Sequence, residues 1–206
     1  MTIFKKILKW VGLVILGAYV LLVVYRMFVL QGEKNTSEQV AKIHATKLTL
    51  DDVMGKNLPP SYAEATEGKP DYDATVPGID ENKNGIRDDV ELAIFKEYPN
   101  SAKTRAVLLQ YALALQMEVS QTVVNKGTVT AVAQERSRAS LCIGNIVSRS
   151  DMQNFIKVTD GYTDFVTKKQ VNNQERDQIQ KSFYEHLGSY SSLENECDLD
   201  LSKLSN

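Results

Sequence analysis

From residue 88 onward, apolar side chains recur at three-and-four spacing, the repeat that gives a helix one buried face. The spacing predicts five helices. The first covers about Asp88 to Lys96, with Val90, Ile94 and Phe95 inward, and Pro99 ends it. Ser101 caps a longer one to about Val124, whose stripe is Leu108, Tyr111, Ala112, Leu115, Val119 and Val123. Asn125-Lys126-Gly127 stops it. A third, about Val129 to Val147, buries Val132, Ala139, Cys142, Ile143 and Ile146. Asp151 caps a fourth, with Phe155, Val158, Tyr162 and Phe165 on one face. Asn173 opens a fifth, with Ile179, Phe183 and Leu187, and Gly188 closes it. Strand-like alternation is absent. The fold class read from this pattern is all-α, a small helical bundle with short antiparallel connections over residues 79–206.

The amino terminus carries a different pattern. Lys5, Lys6 and Lys9 precede Trp10 to Leu30, which is apolar apart from Arg26. A helix of that length spans about 30 Å, the thickness of a hydrocarbon core. Arg26 lies near the far end, where its stem can snorkel to the headgroups. Basic residues 1–9 then stay in the cytoplasm, residues 10–30 form a transmembrane signal anchor, and the rest is exported. A cleaved signal peptide is the other reading. Met27-Phe28-Val29-Leu30-Gln31 offers it no small-residue cleavage site, so the uncleaved anchor is preferred.

Between anchor and bundle, residues 31–78 lose periodicity. Thr36 with Gln39 suggests a capping box for a short helix to Ala45. Pro59, Pro60, Pro70 and Pro77 exclude regular helix or central strand, so residues 46–78 read as an extended, irregular linker. The same stretch would also suit a partner-binding segment.

Charge sharpens the setting. The chain has 24 Lys and Arg against 26 Asp and Glu; four of the basic residues and none of the acids precede residue 33, so the exported part carries a net charge of −6. Such a domain is a poor partner for nucleic acid or anionic headgroups.

Candidate chemistry concentrates in Asp80-Glu81-Asn82-Lys83-Asn84-Gly85-Ile86-Arg87-Asp88-Asp89-Val90-Glu91. Calcium takes six to eight hard oxygens. Asp80, Asn82, Asn84, the Ile86 carbonyl, Asp88 and Glu91 stand at positions 1, 3, 5, 7, 9 and 12 of a calcium loop, with Gly85 at the sharp turn. The competing reading is an Asn/Gly turn that caps the next helix. The loop resembles the EF-hand, with departures. Arg87 occupies position 8, where a paired EF-hand has an aliphatic residue that meets a sister loop, and no second such loop occurs. Pro77-Gly78 stands where an incoming helix should be, which predicts loop-then-helix. Together with Pro77-Gly78-Ile79-Asp80 and a late cysteine in an acidic tail, the loop resembles exported proteins of the bacterial envelope. That resemblance implies a bacterial envelope setting and supplies no activity and no catalytic residues; with the amino-terminal anchor, the expected location is the inner membrane with the carboxyl-terminal domain in the periplasm.

Cys142 and Cys197 both lie in the exported part. An oxidising compartment favours a disulfide between an isolated pair, worth about 4 kcal/mol on the chain-entropy account. Two free thiols are the alternative. His44 and His186 sit in no nucleophile motif, and no G-x-S-x-G, H-E-x-x-H or phosphate-cradling glycine loop is present. Glu118 or Glu135 would serve as the general acid of a peptidoglycan lyase-type site, and nothing in the sequence distinguishes either from a solvated face; Arg136 and Arg138 read as surface ion pairs. Two functions follow. The preferred one is a membrane-anchored, calcium-binding helical domain that engages another envelope protein, as an immunity protein or assembly accessory would. The other is an envelope enzyme that acts on the cell wall through paired carboxylates.

Overall fold

A computed structural model describes residues 2–60 and 70–206; residues 61–69 of the expected linker lie outside the described residues. The chain divides into two units, Met1–Gln39 and Val40–Asn206. All regular structure among the described residues is helical.

Helix α1 covers Thr2–Ala45. Its apolar stretch is exposed along its length, and it is long and apolar enough to cross a membrane. The separate short helix expected from Thr36 does not exist. The polar residues after the apolar span are helix-compatible and bond along the helix: Gln31 Nε2 donates to Asn35 Oδ1 at 2.7 Å, and Lys34 pairs with Glu38 at 3.7 Å. Thr36 Oγ1 donates to the Gly32 carbonyl at 2.9 Å, a mid-helix bond.

The second unit begins in the last turns of α1, where Ile43 is buried. The expected irregular linker contains a helix, α2, at Leu50–Met54. Thr49 accepts the Asp52 N–H, Asp52 reaches back to the Thr49 N–H at 2.8 Å, and Gly55 closes the turn at φ +72. A Cβ at Gly55 would stand 2.8 Å from Phe95 Cε1, so α2 sits tightly on the helix after the loop. That helix, α3, spans Asp88–Glu97.

Helix α4, Ala102–Ser120, is the centre of the bundle and packs against α2, α3 and the three later helices. A single buried stripe was expected; instead 17 of its 19 residues are buried. Small alanines at 106, 112 and 114 let neighbours approach from every side. It ends before Val123, because Asn125 is the cap of the next helix and not the stop of this one. Asn125 Oδ1 accepts from Gly127 and Thr128, and α5 runs Lys126–Gly144. Ile146 falls beyond its end, half-buried. Helix α6, Met152–Gln170, and α7, Gln174–Tyr184, start at the expected caps Asp151 and Asn173. Helix α7 closes before Gly188, and Leu187 is exposed. The chain ends in a 3₁₀ turn, Leu201–Lys203, and Ser205 accepts from the Lys103 N–H at 3.0 Å.

Candidate cation loop and its buried supports

Asp80 anchors the loop. Its two carboxylate oxygens accept the backbone N–H groups of Asn84 at 3.1 Å and Gly85 at 2.9 Å. Asn84 Oδ1 accepts the Ile86 N–H at 2.9 Å, and Asp88 Oδ1 accepts the Glu81 N–H at 3.0 Å. Short polar side chains thus satisfy a backbone that makes no regular ladder. The winding needs positive φ at Lys83 (+58) and Gly85 (+85). A Cβ at Gly85 would meet Leu113 Cδ1 at 2.8 Å, so glycine is required there twice over. Ile86 is fully buried and fastens the loop to the core.

Glu91, one turn into α3, is 1 % exposed. Asn82 Nδ2 donates to its Oε2 at 2.9 Å and Asn84 Nδ2 to its Oε1 at 3.0 Å. Among the described residues no Lys, Arg or His pairs with Asp80, Asp88 or Glu91. Burial pushes the Glu91 carboxyl up to about 7 against the pull of the two amides, with Asp52 nearby adding repulsion. Burial also raises Asp80 and Asp88. Of the six expected ligands, Asn82, Asn84 and Glu91 are in mutual contact. Asp80 and Asp88 turn their oxygens to loop N–H groups. Among the described residues no three His, Cys, Asp or Glu side chains are grouped as a metal site. The six residues offer hard-oxygen donor chemistry, but the Asn82 and Asn84 amides meet the buried Glu91 carboxylate through their N–H groups.

Two fully buried arginines, invisible as such in the sequence, hold this region. Arg87, at loop position 8, sends Nη2 to the Lys169 carbonyl at 2.7 Å and Nη1 to that of Gln170 at 3.2 Å. It thereby meets the negative end of α6, while Asp89 balances its charge. Arg176 holds the approach to the loop. It donates to the carbonyls of Tyr72, Thr75 and Val76 at 2.8–2.9 Å and pairs with Asp73, whose carboxyl it keeps below the usual range. Gln116 Nε2 adds a bond to the Pro77 carbonyl at 2.7 Å.

The cysteines form the expected disulfide, Cys142 to Cys197. Beside it, Arg138 is buried and not on the surface as expected. It bridges Glu135 at 3.0 Å and Asp198 of the tail. His44 Nδ1 and Lys47 Nζ each reach Glu135 at 2.8 Å. Burial opposes ionisation of Glu135, but these bonds and Arg138 outweigh it and lower its carboxyl. Glu118 is also buried, not solvated, and pairs with Arg136 at 3.1 Å. His186 is exposed and meets only the Ser182 carbonyl, at 3.3 Å.

No family model, curated protein or solved structure matches this chain.

Proposed function

We propose that this chain is a single-pass anchor of the bacterial inner membrane that holds an exported, calcium-binding helical domain in the periplasm, where it engages another envelope protein. The single observation that carries the calcium reading is the convergence of the Asn82 and Asn84 amides on Glu91, a buried carboxylate with no cationic partner among the described residues. Burying a carboxylate that neutral amides hydrogen-bond but no cation balances is costly, and a divalent cation would balance it. Asp80, Asn82, Asn84, the Ile86 carbonyl, Asp88 and Glu91 would hold the ion, which supplies charge neutralisation and fixes the start of α3. An extracellular type of affinity, about 10⁻⁴–10⁻³ M, suits a structural ion.

The membrane reading rests on the apolar α1 with Lys5, Lys6 and Lys9 before its apolar span. The disulfide is compatible with an exported domain. Glu118 and Glu135, the carboxylates considered for cell-wall chemistry, have their oxygens engaged by Arg136, Tyr184 and Gln180 in one case and by His44, Lys47 and Arg138 in the other. That engagement favours the interaction reading over the enzyme. The deciding measurement is calorimetry of the full chain in detergent. One ion should bind in the millimolar range or tighter, and Glu91→Ala should abolish the heat. Absence of heat in the unsubstituted protein would overturn the calcium reading.

A further inference from the structure

Glu118 stands on the buried central helix, 1 % exposed, yet its bonds serve a surface. It accepts from Arg136 Nη1 at 3.1 Å, from Tyr184 Oη, and from Gln180 Nε2 at 2.5 Å. Arg136 and Tyr184 line an open cleft of about 550 Å³, together with Ser137, Ser140, Leu141 and Tyr190. A second cleft, of about 420 Å³, shares Arg136, Ser140 and Leu141 and continues past Arg149, Phe155 and Thr159. The two clefts adjoin at these three shared residues of α5. An ion pair whose carboxylate is fully buried is a costly way to gain stability, even with its arginine 32 % exposed. Here it fixes the arginine and the tyrosine of a groove wall, as supporting residues do beneath a binding site.

Both arginines lie over aromatic rings. Arg136 Cζ is 5.6 Å from the Tyr184 centroid, and Arg149 Cζ is 5.6 Å from that of Phe155. A guanidinium stacked in this way keeps its planar fork of N–H donors for another partner. Arg136 uses Nη1 alone; among the described residues its Nε and Nη2 find no acceptor, and no carboxylate pairs with Arg149. One acid, Asp160, lines the second cleft. The exported part is otherwise acidic, at −6, so an anionic ligand is repelled over most of its surface. Leu141, 41 % exposed at the junction of the two clefts, offers an aliphatic contact that a hydrocarbon side chain matches better than a hydroxylated sugar ring.

The geometry points to a docking groove for an acidic peptide segment of a partner protein, with carboxylates at Arg136 and Arg149 and an apolar side chain on Leu141. This names the partner chemistry within the interaction reading and does not depend on calcium. The test uses the full chain in detergent and three probes: a fluorescein-labelled peptide of alternating Glu and Leu, the same peptide with Gln for Glu, and trigalacturonate as an acidic sugar. Anisotropy is read with calcium and with chelator. The Glu peptide should bind saturably and at least about tenfold more tightly than the Gln peptide, and Arg149→Gln should weaken it about tenfold. Lys168→Gln, the same charge change on exposed α6 surface, should leave it unaltered. Equal affinity for the two peptides, indifference to Arg149→Gln, no saturation below about 1 mM, or displacement only by trigalacturonate would each overturn the proposal. Calorimetry on the loop is independent of these readouts, so failure here leaves the calcium reading standing.

Discussion

The Asn82 amide nitrogen lies 2.9 Å from Glu91 Oε2 and equally 2.9 Å from the carbonyl of Asn57, so one side chain ties the buried acid of α3 to the segment that follows α2. A carboxamide carries a donor at one end and an acceptor at the other. Turned about its last bond, Asn82 offers oxygen where it now offers N–H. The loop thus satisfies Glu91 internally, and under the proposed calcium reading the same rotation would let it share that acid with a cation.

The first prediction concerns pH. Glu91 has its folded carboxyl raised to about 7 from an ordinary 4.5. The folded state thus binds the proton more tightly than the unfolded chain does. Stability in chelator should fall as pH rises from about 4.5, level off above about 7, and drop in total by at most about 3 kcal/mol. Glu91→Gln should flatten that profile. Denaturant titrations between pH 4.5 and 8 would show it, and an equally steep fall in the glutamine variant would assign the effect elsewhere.

Arg176→Met should destabilise the unit Val40–Asn206 by about 3–5 kcal/mol, because three carbonyls and Asp73 lose their donor together. Arg176→Lys should rescue little, since one ammonium cannot reproduce the fork. The readout is a denaturation midpoint, with amide exchange over residues 70–78 rising first.

Removal of the bridge by Cys142→Ala with Cys197→Ala should cost about 4 kcal/mol, and chelation should cost a further amount set by RT ln(1 + [L]/Kd). Among the described residues no hydrogen bond or ion pair joins the loop to the disulfide, so the two losses should add within about 0.5 kcal/mol. A melting temperature indifferent to both would mean that the bundle stands without either device.

A reporter that works only outside the cytoplasm, joined after Asn206 through a flexible spacer, should be active, and the mature protein should keep its full length. The spacer matters because Leu204 is buried and Ser205 bonds to Lys103. A mature amino terminus near residue 33 would show a cleaved signal instead.

The capped helices were legible because their signals are local. Ser101, Asp151 and Asn173 each bond to a backbone N–H two or three residues on, and each marks a helix start. Asn125 belongs to the same class, but beside Gly127 its sequence pattern reads as a stop. Helix α2 is hard to read from sequence because it is five residues long, closed by Gly55 and followed by two prolines, a composition that suits irregular backbone. The loop's spacing was readable, but the surroundings of Arg87 and Arg176 were not. Their partners lie more than eighty residues away in one case and about a hundred in the other, and one sequence holds no record of that proximity. Helix α4 failed for a related reason: a stripe can be read from one helix, but burial on every side depends on neighbours that a periodicity cannot count.

Arg87 has a consequence for how the loop would respond under the proposed calcium reading. Its side chain is spent inside its own domain, on the end of α6, at the position through which a paired loop would meet a sister. A loop closed off in this way has no twin to recruit. Its occupancy should follow a simple hyperbola with a Hill coefficient of one, filling gradually as the ion concentration climbs. Such a response has no threshold, and it suits a steady load-bearing part better than a trigger.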